Sequence, residues 1–166
     1  MPQDDKPEQT KSPPASKISN VFGPIQILPG ESLDAYKEGL AATIRELGAS
    51  THLQIYLAEK IFQCLWWMRR YETQKQSAAI NAMVALIANF GTPKDQKHAL
   101  NVLLQAQDWK GDPLKKLIND AGHTPESLLA EAMSTKSQLI QNLDSLIALR
   151  VKTLGQLQQS YEALVN

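Results

Sequence analysis

The 166 residues include one cysteine, three histidines and no excess of either charge. With Cys64 alone, no disulfide can form within the chain, and its apolar neighbours mark it as a small core residue rather than a nucleophile. The eight glycines are isolated from one another. That excludes the glycine-rich loop that cradles phosphate ahead of a helix. His52, His98 and His123 share no metal-ligand spacing such as i, i+4. There is no G-x-S-x-G elbow, no Ser/His/Asp set and no close pair of acids inside an apolar segment. Glu59 is expected to serve a salt bridge or a polar face. No catalytic residue, metal ligand or cofactor is therefore expected.

Seventeen basic residues balance seventeen acidic ones, and the balance is local too. Residues 1–92 carry nine of each sign and residues 93–166 carry eight of each. A chain that lives on nucleic acid or anionic lipid usually shows a basic excess or a basic face. The longest nearly apolar run, Ala78 to Phe90, is broken by Asn81 and Asn89. It is shorter than the ~20 residues a bilayer needs. The first residues lack the basic start and apolar run of a signal peptide. These absences predict a cytoplasmic protein with no membrane partner.

What is present is helical periodicity. Residues 1–24, with Pro2, Pro7, Pro13 and Pro14 and few apolar side chains, are expected to be a disordered tail. Residues 25–166 are expected to form one helical domain. Val21 to Leu28, broken by Gly23 and Pro24, can lie extended across that domain. Ser32 caps a first helix ending near Leu47, with Leu33, Tyr36, Leu40, Ile44 and Leu47 on one face. Ser50 or Thr51 caps a second helix with no breaker until Gly91. In it Leu57, Ile61, Cys64, Met68 and Tyr71 step by four, three, four and three, as in a coiled-coil seam. Ile80, Met83, Val84 and Ile87 renew the seam. Thr92-Pro93 and Asp112-Pro113 start two shorter helices. Thr124-Pro125 opens a last helix predicted to run nearly to the C-terminus on Leu129, Met133, Ile140, Leu143, Ile147, Val151, Leu154, Tyr161 and Leu164. The predicted architecture is all-α. Two long antiparallel helices form a coiled-coil-like hairpin, the first helix covers part of it, and two shorter helices connect them.

The most distinctive stretch is Glu59 to Glu72, which holds Trp66-Trp67 and Arg69-Arg70. Adjacent helix positions point about 100° apart, so both indoles cannot enter one seam. One is expected in the core and the other beneath the first helix or at an interface. The arginines are expected to stack on the indoles at i, i+3 or i+4, or to pair with Glu59, Glu72 or the last helix. Tryptophan and arginine are enriched at binding hot spots.

Leu28-Pro29-Gly30-Glu31-Ser32 with Tyr36, and then Glu59, Ile61, Leu65-Trp66, Arg69-Arg70 and Glu72, resemble a large group of uncharacterised bacterial proteins. That group shares an "LPGE…Y" start and an "E-x-I…LW-x-x-RR-x-E" helix. Trp109-Lys110-Gly111-Asp112-Pro113, Ala121-Gly122 and Ala130-Glu131-Ala132 are similar to its later segments, and the match spans about residues 27–158. The resemblance implies no catalytic residue. High copy number in the group points toward mobile elements. Many members begin with a basic arm, whereas residues 1–20 here balance Lys6, Lys11 and Lys17 against Asp4, Asp5 and Glu8.

The expectation is a non-enzymatic helical interaction protein that self-associates or docks a protein partner. Its candidate contact residues are Trp66, Trp67, Arg69, Arg70, Met83 and Ile87. The alternative is a nucleic-acid-associated accessory of a bacterial mobile element.

Overall fold

A computed structural model of the chain describes residues 26–104 and 113–166. The expected disordered segment 1–24, and Trp109 with its neighbours, lie outside the described residues. The described residues form helices and turns and no strand. The helices are α1 (Leu33–Glu46), α2 (His52–Ile87), α3 (Pro93–Leu104), α4 (Pro113–Asp120), α5 (Pro125–Thr135) and α6 (Ser137–Val165). No helix among them is long and apolar enough to cross a membrane.

Local chemistry sets the helix starts. The Ser32 hydroxyl accepts from the Ala35 N–H and starts α1. Thr51 and Gln54 cap each other's backbone at the start of α2, and Thr124 and Ser127 do the same for α5. Thr92 and Asp95 exchange similar bonds ahead of α3. Each such cap satisfies donors that a helix start leaves orphaned, at about 1 kcal/mol. Gly48 and Gly122 take φ of 65° and 82° after α1 and α4, the left-handed turn that ends a helix.

The 36 residues of α2 span about 54 Å. α1, α3, α5 and α6 all pack on it, and α4 joins the core at its C-terminal end alongside α3. α6 runs antiparallel to α2: Leu57 clusters with Tyr161, Trp67 meets Arg150, and Lys75 meets Asp144. Cys64, Tyr71, Ile140 and Leu143 are buried along this seam, as the stepping of apolar residues predicts. The seam is capped at both ends. At the C-terminal end of α2, Met83 and Ile87 join Ala99, Val102, Leu114, Ile118, Leu128 and Ala132 in the largest core cluster. At the other end, Leu57, Ile61 and Tyr161 gather Leu47, Ala49, Leu154 and Leu157 around them. Each large apolar side chain buried this way contributes about 1.5–3 kcal/mol.

The last helix is not continuous. Lys136, at φ −105° and ψ 14°, separates α5 from α6. Leu128 and Ala132 are buried in α5, while the expected Leu129 and Met133 are 41% and 42% exposed. The interruption lets α5 turn a different stripe toward the α3–α4 core than a straight continuation of α6 would present. Val151 and Leu164, also expected on the seam, are exposed.

α1 lies on the face of α2 opposite the seam. Its one buried side chain, Tyr36, meets Phe62 and Trp66 edge-on, with ring centroids 5.0 and 5.2 Å away. Gly39 lets the helices approach: a Cβ there would lie 2.6 Å from Cζ of Phe62. Gly155 sits inside α6 with open space around it. We expect Gly39→Ala to destabilise the fold by about 1–2 kcal/mol net of alanine's better helix propensity. Gly155→Ala should stabilise it by about 1 kcal/mol. Urea denaturation of both variants beside the parent chain checks the opposite signs.

Candidate functional site

Three polar and aromatic groups converge where α1 begins over the middle of α2. The first is a fork. Arg70 is 8% exposed, donates from Nε to Glu31 Oε1 at 2.6 Å and from Nη2 to Glu31 Oε2 at 2.6 Å. The same Nη2 donates to the Gln26 carbonyl at 2.7 Å. Glu31 is held for this by its own turn. Its N–H donates to the Leu28 carbonyl, its Oε2 accepts from the Leu28 N–H at 2.8 Å, and Gly30 takes a φ of 89° between them. A bidentate arginine–carboxylate pair is among the strongest polar contacts a protein makes. The Arg70 guanidinium holds the Glu31 carboxyl at about 2, below its usual 4.5, against the desolvation that would raise it.

The second group is Trp66, Tyr36 and Phe62 beneath α1. Burial, and then the charge of Glu59, push the Tyr36 phenol up to about 12. The Tyr36 hydroxyl and the Trp66 indole nitrogen are buried with no hydrogen-bond partner. The Trp66 side chain still helps to lower the Glu31 carboxyl, and the Gln63 side chain tempers the rise of the Tyr36 phenol, as weak polar contacts outside strict hydrogen-bond geometry. Arg69 lies over the outer part of Trp66, 5.6 Å from its ring centroid.

The third group is Trp67, which is 37% exposed on the flank where α2 meets α6. The Arg70 guanidinium lies 4.4 Å from its ring centroid and that of Arg150 lies 5.8 Å away, so it links the two long helices through cation–π contacts. Leu139 and Leu146, 46% and 40% exposed, follow Arg150's side of α6 at spacings of seven and four. Leu139 and Lys136 border an open groove of about 450 Å³ whose other wall is Thr73, Gln74, Ser77, Ala78 and Asn81 of α2.

The structure thus divides the expected contact residues. Trp67 and Arg69 reach the surface, Trp66 lies beneath α1, and Arg70 is a buried anchor. Met83 and Ile87, expected on a contact surface, are 5% and 0% exposed and belong to the core with α3, α4 and α5. The short helices that cover them come from downstream in the chain, which the periodicity of α2 alone does not reveal. Arg70 pairs with Glu31, not with Glu59, Glu72 or the last helix. Glu59 is buried and accepts from the Gln63 side chain at 3.2 Å. His52 and His98 are exposed, and His123 stacks on Phe90. Among the described residues no group of His, Cys, Asp and Glu is placed to hold a metal ion. Leu139 and Leu146 were missed as candidates. Their spacing of seven on α6 was the available signal.

Comparison with family models, with curated proteins and with solved structures returns no match.

Glu31 is more acidic in the folded chain than in the unfolded one. Its contribution to stability is therefore complete above about pH 4.5 and disappears as pH falls toward 2. We expect Glu31→Gln to cost about 2–3 kcal/mol at pH 7, because it leaves the Arg70 charge without its counterion. The same variant should flatten stability against pH between 4.5 and 2, which denaturation at stepped pH values measures.

Proposed function

We propose that this chain is a non-enzymatic helical interaction protein that self-associates or docks a protein partner along the α2–α6 flank. One observation carries the reading. Leu139 lines an open groove between α2 and α6, Leu146 and Trp67 are exposed farther along the same two helices, and Trp67 is held in place by Arg70 and Arg150. An aromatic side chain fixed before binding loses little rotamer freedom on contact, which favours it as an anchor. The flanking charges, Lys75 on Asp144 and the arginines on Trp67, supply the polar rim that interfaces commonly have.

Nucleic acid is the less supported partner. Of the adjacent arginines, Arg70 is committed to Glu31 and Arg69 lies over Trp66, and net charge is zero. Phosphate binding also releases counterions and weakens steeply with salt, so a mobility-shift titration at low and high salt separates this reading from protein docking.

Native mass spectrometry of the full chain purified gently from its host is the direct test. We expect an assembly with itself or with a protein. Trp67→Glu or Leu146→Glu should weaken it at least tenfold while shifting the melting temperature by only a few degrees. Met83→Glu should instead unfold the chain, because it buries a charge. An assembly indifferent to both flank substitutions would place the contact elsewhere.

A further inference from the structure

We propose that α1, with the turn that leads into it, is a detachable lid, and that the face beneath it is a docking groove for the α1 helix of a second copy. This surface meets the Trp67 flank at Arg70, but the contacts of α1 form it whether or not that flank docks a partner.

The packing isolates α1. It rests chiefly on α2, and Tyr36 is its one buried side chain. The large core at the far end of α2 contains no residue of α1, and only Leu47 and Ala49, at its end and in the turn after it, join the smaller cluster around Leu57, Ile61 and Tyr161. Two polar pins hold its ends. Arg70 grips Glu31 and the Gln26 carbonyl at the start, and the Tyr161 hydroxyl donates to the Leu47 carbonyl at 2.8 Å at the finish. A short turn from Leu47 to Thr51, with Gly48 at φ 65°, connects α1 to α2 and can act as a hinge. The closed state also carries a penalty. The Tyr36 hydroxyl and the Trp66 indole N–H are buried there without hydrogen bonds, and opening returns both to water.

The groove selects its occupant by shape and charge. Arg70 takes a carboxylate in bidentate geometry. Phe62 and Trp66 receive a tyrosine edge-on. Phe62 leaves room for a glycine at the Gly39 position, where a Cβ would lie 2.6 Å from its Cζ and force it to shift. The ligand is therefore a helix with an acid in the turn just ahead of it, a tyrosine five residues after the acid and a glycine three further. Glu31, Tyr36 and Gly39 meet that pattern, and a second copy supplies the same residues. Exchange of α1 between copies would reproduce every contact of the closed chain, the general basis of domain swapping.

Hydrogen exchange followed by mass spectrometry tests the lid. On the full chain, α1 amides should exchange at least tenfold faster than those in the middle of α2 and α6. Tyr161→Phe, which removes one hydroxyl, should accelerate α1 at least threefold and leave α6 residues 140–150 unchanged. Uniform exchange across all three helices, or uniform acceleration, would overturn the lid. A fluorescent peptide of residues 26–47 tests the groove. It should bind the Glu31→Gln chain, whose own lid is loosened while Arg70 remains, at least tenfold more tightly than the parent chain. If Glu31→Gln fails to fold, the Tyr161→Phe chain takes its place. The same peptide carrying Gly39→Leu should not bind. Absence of binding, equal binding to both chains, or tolerance of Gly39→Leu would overturn the groove. Binding of the peptide to a chain carrying Leu146→Glu keeps this result separate from the fate of the α2–α6 flank.

Discussion

A helix of about 54 Å has more apolar surface than any single neighbour in this chain can cover, and the other elements are arranged to meet that demand. α6 takes one face along most of the length. α1 takes the opposite face near the start, and α3, α4 and α5 wrap the end. Burial is therefore piecewise. A core cluster sits at each end of α2, with an aromatic group between them on the α1 side. Removing the break at Lys136 would deny α5 its place at the end of α2 and strip Leu128 and Ala132 from the core around Met83 and Ile87.

Polar contacts mark the points where separate segments must register. Arg70 fixes where α1 begins over α2, and Tyr161 fixes where it ends. Neither contributes through net charge, since the chain is neutral, and both act through geometry. Arginine suits the first position because its planar fork meets both oxygens of Glu31 while its face lies on Trp67. A lysine there would supply charge without the second donor or the stacking.

Much of the fold was legible in the sequence because its signals are local. Ser32, Thr51, Thr92 and Thr124 are caps that act on backbone within three residues. The four-three stepping of Leu57, Ile61, Cys64 and Tyr71 needs only the pitch of a helix. The boundaries of α1 and α4, and the start of α2, follow from these signals closely. The break at Lys136 was not legible, because no glycine or proline marks it and the apolar pattern runs through it. The Glu31–Arg70 pair was missed because 39 residues separate its members, and nearer acids competed for the same arginine. For the candidate site, the tryptophans and arginines were visible by type. Their division into core, anchor and surface was not, because it depends on which helix covers which face of α2. Met83 and Ile87 show this most clearly: apolar spacing marks a residue for burial or contact without saying which.

The bond from Tyr161 to Leu47 joins residues 114 positions apart. α2 and α6 likewise meet only across the three helices between them. A ribosome adding roughly 5–20 residues per second releases α2 well before α6 exists. From Ile87 to Tyr161 that delay is about 4–15 s, and for its duration the seam of Leu57, Ile61, Cys64 and Tyr71 has no partner. During synthesis the nascent chain thus carries a long, unmatched apolar stripe.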